Sequence, residues 1–156
     1  MNIAIIAAAG SGSRFSSSQP KQFLDILGKP LILHTLERFD ACASIDEIIL
    51  VVPAGELENC IKYTVGKLRK VIAGGETRAQ SVKNGLDMIA AGPNDIVAVH
   101  DGARPLVSID EITQTIEKAR KTGAACLVGP VTDTIKEIDG GRILSLIHIS
   151  EPTRPY

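Results

Sequence analysis

The sequence predicts an α/β protein built on a doubly wound, mostly parallel sheet with a protruding β-hairpin arm. Three observations carry that reading. Continuous apolar runs recur as "NIAIIAAA" (2–9), "DEIILVVP" (46–53) and "DIVAVHD" (95–101), the pattern of strands covered on both faces. Segments of helical length and amphipathic spacing lie between them. Hydrophobic residues make up 44% of the chain but aromatic ones only 3%, so the core is built from Ile, Leu, Val and Ala.

The first run ends at Gly10 and reads as a buried strand. A helix is predicted to begin near Pro30, because proline suits a first helical position. It continues through "LILHTLERF", with Leu31, Leu36 and Phe39 facing inward. The second strand closes at Pro53, and "GELENCIKYTVGKL" (55–68) reads as a weakly amphipathic helix. "RKVIAGG" (69–75) is a short strand entering a glycine turn. "RAQSVKNGLDMIAA" (78–91) follows as a helix with Val82, Leu86 and Ile89 inward.

After the strand at 95–101, "IDEITQTIEKARKTG" (109–123) is a helix, with Ser108 or Asp110 as its cap and Gly123 as its stop. "AACLVGPV" (124–131) is predicted to close the series as a strand. Right-handed crossovers then bring the loops at 10–22, 74–81 and 101–105 to one sheet edge, where such folds bind ligands. "DTIKEIDGGRILSL" (133–146) reads as a hairpin turning at Gly140 and Gly141. An isolated two-stranded ribbon is marginal in water and needs a partner. "HISEPTRPY" (148–156) has two prolines and no periodicity, and is expected to be unstructured.

Composition excludes several classes. A net charge of −1 over 156 residues offers no electrostatic footprint for nucleic acid, and so few aromatics leave no base-stacking surface. Cys42, Cys60 and Cys126 form no C-x-x-C pair and read as ordinary thiols of a reducing cytoplasm. The N-terminal apolar run stops at Ala9, too short for a signal or membrane helix. A soluble cytoplasmic protein is the expectation.

Three constellations carry chemistry. In "AAAGSGSRFSSSQPKQF" (7–23), Gly10 and Gly12 begin a dinucleotide fingerprint, but Phe15 stands where its third glycine belongs. No G-K-[ST] follows, so a Walker A loop is excluded too. What remains is a glycine loop whose amides can wrap a triphosphate while Arg14 and Lys21 neutralise it. A solvated loop with two ordinary basic residues is the competing interpretation. In "VHDGARP" (99–105), Asp101 sits just past a buried strand, where a carboxylate can hold a hard divalent cation. From spacing alone a structural ion pair with Arg104 is the favoured reading, because strand-end Asp residues are common, and His100 reads as packed into the sheet. In "GGETRAQSVKNGL" (74–86), the glycines permit close approach of a flat ligand and Ser81 can hydrogen-bond its edge. A capped turn fits the same residues.

Together, "AAAGSGSRF…QPKQF…GKPLILHTL", "GGETRAQSVKNGL", "VHDGARP" and "PVTDTIK" resemble, in order and spacing, the 2-C-methyl-D-erythritol 4-phosphate cytidylyltransferase family of the non-mevalonate isoprenoid pathway. The likeness runs from residue 1 to about 144. It implies a Rossmann-like nucleotidyltransferase fold and a magnesium-dependent transfer of CMP from CTP to methylerythritol phosphate. The products are 4-diphosphocytidyl-2-C-methyl-D-erythritol and pyrophosphate. By resemblance, the Ala8, Ala9, Gly10, Ser11 and Gly12 backbone holds triphosphate and ribose, and Arg14 and Lys21 stabilise the transition state. Gly75 and Ser81 match the family's cytosine readers, and Asp101 its contact to metal and substrate. Arg104 and Thr134 match family residues near the methylerythritol phosphate. In the family the ribbon reaches across a dimer, so the resemblance implies that Thr134 would serve a neighbouring subunit through the arm (about 131–149) of a homodimer.

At the C-terminus the chain departs from the family. "LSLIHISEPTRPY" (144–156) replaces the family's L-W-x-x-Q-T-P-Q segment, further helices and a late lysine. No counterpart to that lysine is found, and Arg154 stands in a context unlike the ribbon arginine. Residues 1–144 are therefore expected to form a cytidylyltransferase domain incomplete at its C-terminus, followed by a disordered non-family tail over 145–156. Weak CTP binding with little turnover is the corresponding expectation. Two alternatives are a ribitol-5-phosphate cytidylyltransferase and a CTP-binding module without catalysis. A dinucleotide dehydrogenase is excluded by Phe15 and by the lack of an acidic residue at Leu50 to Pro53.

Overall fold

The computed structural model describes residues 1–10, 19–129, 135–139 and 142–147 of the chain. Two compact units are present, Met1–Ala125 and Cys126–Tyr156. In the first, β1 (Asn2–Ala7) leads through a small antiparallel ladder, β2 (Asp25–Ile26) and β3 (Lys29–Pro30), into α1 (Leu31–Ala41). Then come β4 (Glu47–Val52), the single-turn α2 (Leu57–Cys60), β5 (Leu68–Ala73), α3 (Arg78–Asp87), β6 (Ile96–Asp101) and α4 (Ile109–Thr122). The sheet order is β5-β4-β1-β6, every pair parallel. The chain thus steps from β1 to one side and returns to its other side at β6. The predicted doubly wound α/β class is correct.

Alternation along the strands divides the interior in two. Ala4, Ile6, Ile48, Leu50 and Val52 join Ile32, Leu36 and Phe39 of α1 and Ile112 and Ile116 of α4 in one buried cluster. Ile5 and Val51 point to the opposite face, where α3 lies. This two-sided burial is why β1 and β4 read as unbroken apolar runs. Ser108 caps α4 with a full capping box to Glu111, and Gly123 at φ 85° ends it.

Strand β6, read from its apolar run as covered on both faces, ends the sheet order among the described residues and has no fully buried residue, with Val99 41% exposed. Three further predicted elements differ. First, α3 turns Ser81 and Gly85 inward, while Leu86 is 44% exposed. A Cβ on Gly85 would stand 2.8 Å from Ile5 Cγ2, so this helix lies too close to the sheet for large inward side chains. Second, the helix expected over 55–68 shrinks to a 3-10 turn, Ala54–Glu56, and the four residues of α2. The chain instead turns back through Lys67, whose N–H donates to Asp40 Oδ1 at 2.7 Å and whose Nζ donates to the Cys42 carbonyl at 2.7 Å. The Lys67 carbonyl in turn accepts from Ile48 N at 2.8 Å, which starts the pairing of β5 with β4. Third, Ala124 to Gly129 form no strand, and Val128 is 82% exposed. An apolar run becomes a strand only where a neighbouring edge supplies ladder bonds, and among the described residues none is paired with it.

In the second unit, β7 (Ile135–Asp139) pairs antiparallel with β8 (Arg142–Ile147), with a bulge between Glu137 and Ile138. This is the predicted hairpin. Its turn at Gly140 and Gly141, the preceding Thr134 and the tail from residue 148 lie outside the described residues. The return strand runs past residue 144, so residues 145 to 147 are ladder-bonded.

Candidate functional site at the strand-order reversal

The sheet order reverses between β1 and β6, and their C-terminal ends meet in register with Ala7 opposite Asp101. Hydrogen bonds extend the ladders past the strand ends. Gly102 N donates to the Ala7 carbonyl, Ala8 N to that of Val51 and Gly74 N to that of Val52, each at 2.8 Å. The loops after β1, β5 and β6 are thereby fixed side by side, at the crevice where open α/β sheets bind ligands. From below, the fully buried Thr35 of α1 donates its Oγ1 hydrogen to the Gly102 carbonyl at 2.8 Å.

Ala8 is buried, Ala9 half-buried and Gly10 exposed, so the loop emerges from the core across these three residues. Ser11, Gly12 and Arg14 lie outside the described residues. Lys21 opens a 3-10 turn, Lys21–Phe23, with its side chain exposed. Beside it Gln22 is buried and donates to the carbonyls of Ala8 and Gly10.

Gly74 has no room for a side chain, since a Cβ would fall 2.2 Å from Ala9 Cβ. Gly75 N donates to Ser81 Oγ at 3.1 Å, and Ser81 Oγ donates to the Thr77 carbonyl at 2.9 Å. Thr77 in turn caps α3 through Gln80 N. Ser81 is therefore buried and satisfied inside the turn, where it shapes the Gly75 backbone.

Asp101 lies between two guanidinium groups. Arg78 Nε and Nη2 approach Oδ1 at 3.2 and 3.0 Å, and Arg104 Nε approaches Oδ2 at 2.8 Å. Burial alone would raise the Asp101 pKa, but the hydrogen bond and charge of Arg78, with those of Arg104, hold it below the usual carboxylate range. Arg78 also ties the 74–81 turn to the end of β6. His100 packs on Phe39, ring centroids 5.0 Å apart, with Nε2 at 2.9 Å from the Arg104 carbonyl. Among the described residues no three His, Cys, Asp or Glu side chains cluster as a metal site.

The structure thus brings Ala8, Ala9, Gly10, Gly75, Ser81, Asp101 and Arg104 to one sheet edge, with Lys21 exposed on the turn that Gln22 joins to the loop. Sequence reasoning missed three residues that organise this edge, Gln22, Thr35 and Arg78. Only Arg78 carried a signal, as a cation opening the helix after the glycine turn.

The sequence profile of the family described as IspD, 2-C-methyl-D-erythritol 4-phosphate cytidylyltransferase, matches residues 2–149. The chain is 45% identical over 140 residues to the protein of that name from Alkaliphilus metalliredigens, covering 86% of this chain and 58% of that one. A second, from Syntrophus aciditrophicus, is 42% identical and the match covers 87% and 60%. The chain therefore spans about three fifths of the length of these relatives. A crystal structure of 4-diphosphocytidyl-2C-methyl-D-erythritol synthase superposes with a TM-score of 0.74 at 31% identity, over 96% of this chain and 68% of that one. The Thermus thermophilus cytidylyltransferase superposes with a TM-score of 0.68 at 32% identity, over 94% and 62%.

Proposed function

This chain belongs to the 2-C-methyl-D-erythritol 4-phosphate cytidylyltransferase family, and on that premise we propose that it binds CTP at the reversal point between β1 and β6 and transfers CMP to 2-C-methyl-D-erythritol 4-phosphate. The observation that carries the proposal is the family match over residues 2–149, whose segments at 8–10, 74–81 and 101–104 share one sheet edge.

In the proposed reaction an acceptor phosphate oxygen bonds to the α-phosphorus, the bond to the β-phosphate oxygen breaks, and pyrophosphate leaves. The nucleophile is already ionised, so no general base is needed. Accumulating negative charge is the obstacle, and positioned cations and amides are the remedy. We assign the triphosphate and ribose to the backbone of Ala8 through Gly12, and transition-state charge to Arg14 and Lys21. The Gly75 backbone is assigned to the cytosine edge, with Ser81 reaching it through the Gly75 turn that its buried hydroxyl holds, and Arg104 and Thr134 to the acceptor phosphate.

A magnesium ion, when bound, supplies charge neutralisation at the phosphates. Asp101 fits such an ion as a single carboxylate ligand, because magnesium is commonly held by one or two carboxylates plus substrate phosphates. Its Oδ2 takes one hydrogen bond, from Arg104, and keeps a lone pair.

The same reading includes a homodimer joined through the β7–β8 ribbon, supported by the marginal stability of a lone two-stranded ribbon. It also includes a cytoplasmic location, supported by three free thiols. No helix among the described residues is long and apolar enough to cross a membrane. The test is magnesium-dependent pyrophosphate release from CTP, with methylerythritol phosphate compared against ribitol 5-phosphate. Release with the first alone supports the proposal, and release with ribitol phosphate alone overturns it. Saturable CTP binding with no release from either would leave a nucleotide-binding module without catalysis.

A further inference from the structure

Gln22 is 3% exposed and has no role in the chemistry above, yet it is bonded to the loop that the proposed function assigns to the triphosphate. Its Nε2 lies 2.7 Å from the Ala8 carbonyl and 2.9 Å from the Gly10 carbonyl. Two carbonyl acceptors require two hydrogens on one atom, so the amide nitrogen faces the loop and no flipped amide satisfies both. Because a trans peptide is planar, turning the Ala8 carbonyl toward Gln22 turns the Ala9 N–H away from it.

The other end of the tether is equally fixed. Phe23 N donates to the Pro20 carbonyl at 2.9 Å, and Gln19 Nε2 to the Phe23 carbonyl at 3.1 Å. Phe23 is itself part of the core cluster. Successive side chains of a 3-10 turn diverge by a third of a revolution, which sends Gln22 inward and leaves Lys21 exposed.

We propose that Gln22 is a positioning residue: its side-chain amide fixes the Ala8–Gly10 backbone and holds the Lys21 turn against it, so that loop amides and the lysine meet one bound triphosphate. This rests on the proposed nucleotide site. Neither Met nor Glu can replace it, since Met has no donor and an ionised Glu faces two carbonyl oxygens with acceptors only.

The test uses the purified full chain with CTP and magnesium, measuring affinity by calorimetry for wild type, Gln22→Met, Gln22→Glu and Ile116→Val, with a melting temperature for each. The core substitution Ile116→Val controls for lost stability and is expected to bind as wild type. Gln22→Met is expected to bind CTP about tenfold more weakly at every pH, in line with leaving buried acceptors unmet. Gln22→Glu binds weakly where its carboxyl is ionised and recovers part of its affinity as pH falls through the carboxyl's titration, which burial and the two facing carbonyls raise above the ordinary range. A residue of merely structural value would lower the melting temperature and leave CTP affinity as in Ile116→Val. Wild-type affinity in Gln22→Met overturns the tether and leaves the site reading standing. A wild-type chain that binds no CTP overturns the site reading and the tether with it.

Discussion

Arg78 and Asp101 lie 23 positions apart in the chain, yet the guanidinium sets two nitrogens on one carboxylate oxygen, at 3.0 and 3.2 Å. The pair fastens the first residue of α3 to the last residue of β6, and Arg104 occupies the other oxygen. Replacing Arg78 with Met removes the cation that favours the ionised form, so the Asp101 carboxyl pKa rises toward or above its ordinary value. Carboxyl-resolved NMR titration measures this directly, and an unchanged pKa would contradict the assignment.

The same pair carries a pH dependence of stability. A depressed folded pKa means that Asp101 stabilises the fold above the unfolded carboxyl value of about 3.9, and that this contribution is lost as pH falls through the lower folded value. Urea midpoints of wild type and Arg78→Met should therefore differ at neutral pH and converge below about pH 4.

Gly85→Ala sets two effects against each other. Alanine favours a helix over glycine by about 1 kcal/mol. Its Cβ would also stand 2.8 Å from Ile5 Cγ2 and 3.4 Å from Val51 Cγ2, in a fully packed part of the sheet. Overpacking of that kind costs about 1–3 kcal/mol, so the substitution should destabilise by up to about 2 kcal/mol in denaturant titration.

Much of this fold was legible because burial left a plain pattern. Strands β1 and β4 are covered on both faces and read as apolar runs, while Ser108 and Gly123 marked the two ends of α4. The inward face of α3 was not legible, because close approach selected Ser81 and Gly85 over the larger Leu86. Nor was the loss of the 55–68 helix, which follows from long-range bonds to Asp40 and Cys42. At the site, Gly75, Ser81 and Asp101 stand in recognisable local motifs. Gln22 and Arg78 do their work across 14 and 23 positions, and no local spacing reports such a contact.

Leu27 offers the opposite kind of substitution. It sits at φ 54° in the two-residue loop between β2 and β3, and its side chain is 93% exposed. Asparagine accepts that left-handed backbone far better, and no packing is lost by the exchange. Leu27→Asn should raise stability by about 0.5–1 kcal/mol in thermal or urea unfolding.

Titrating CTP and magnesium into the isotopically labelled chain, with each backbone amide followed by NMR, tests the central claim most directly. Saturable shifts are expected to concentrate at the amides of Ala8–Gly10, Gly74–Gly75 and Gly102, with little change at the N-terminus of α4 or the outer face of β5. No saturable shift, or shifts gathered away from the ends of β1, β5 and β6, would contradict it.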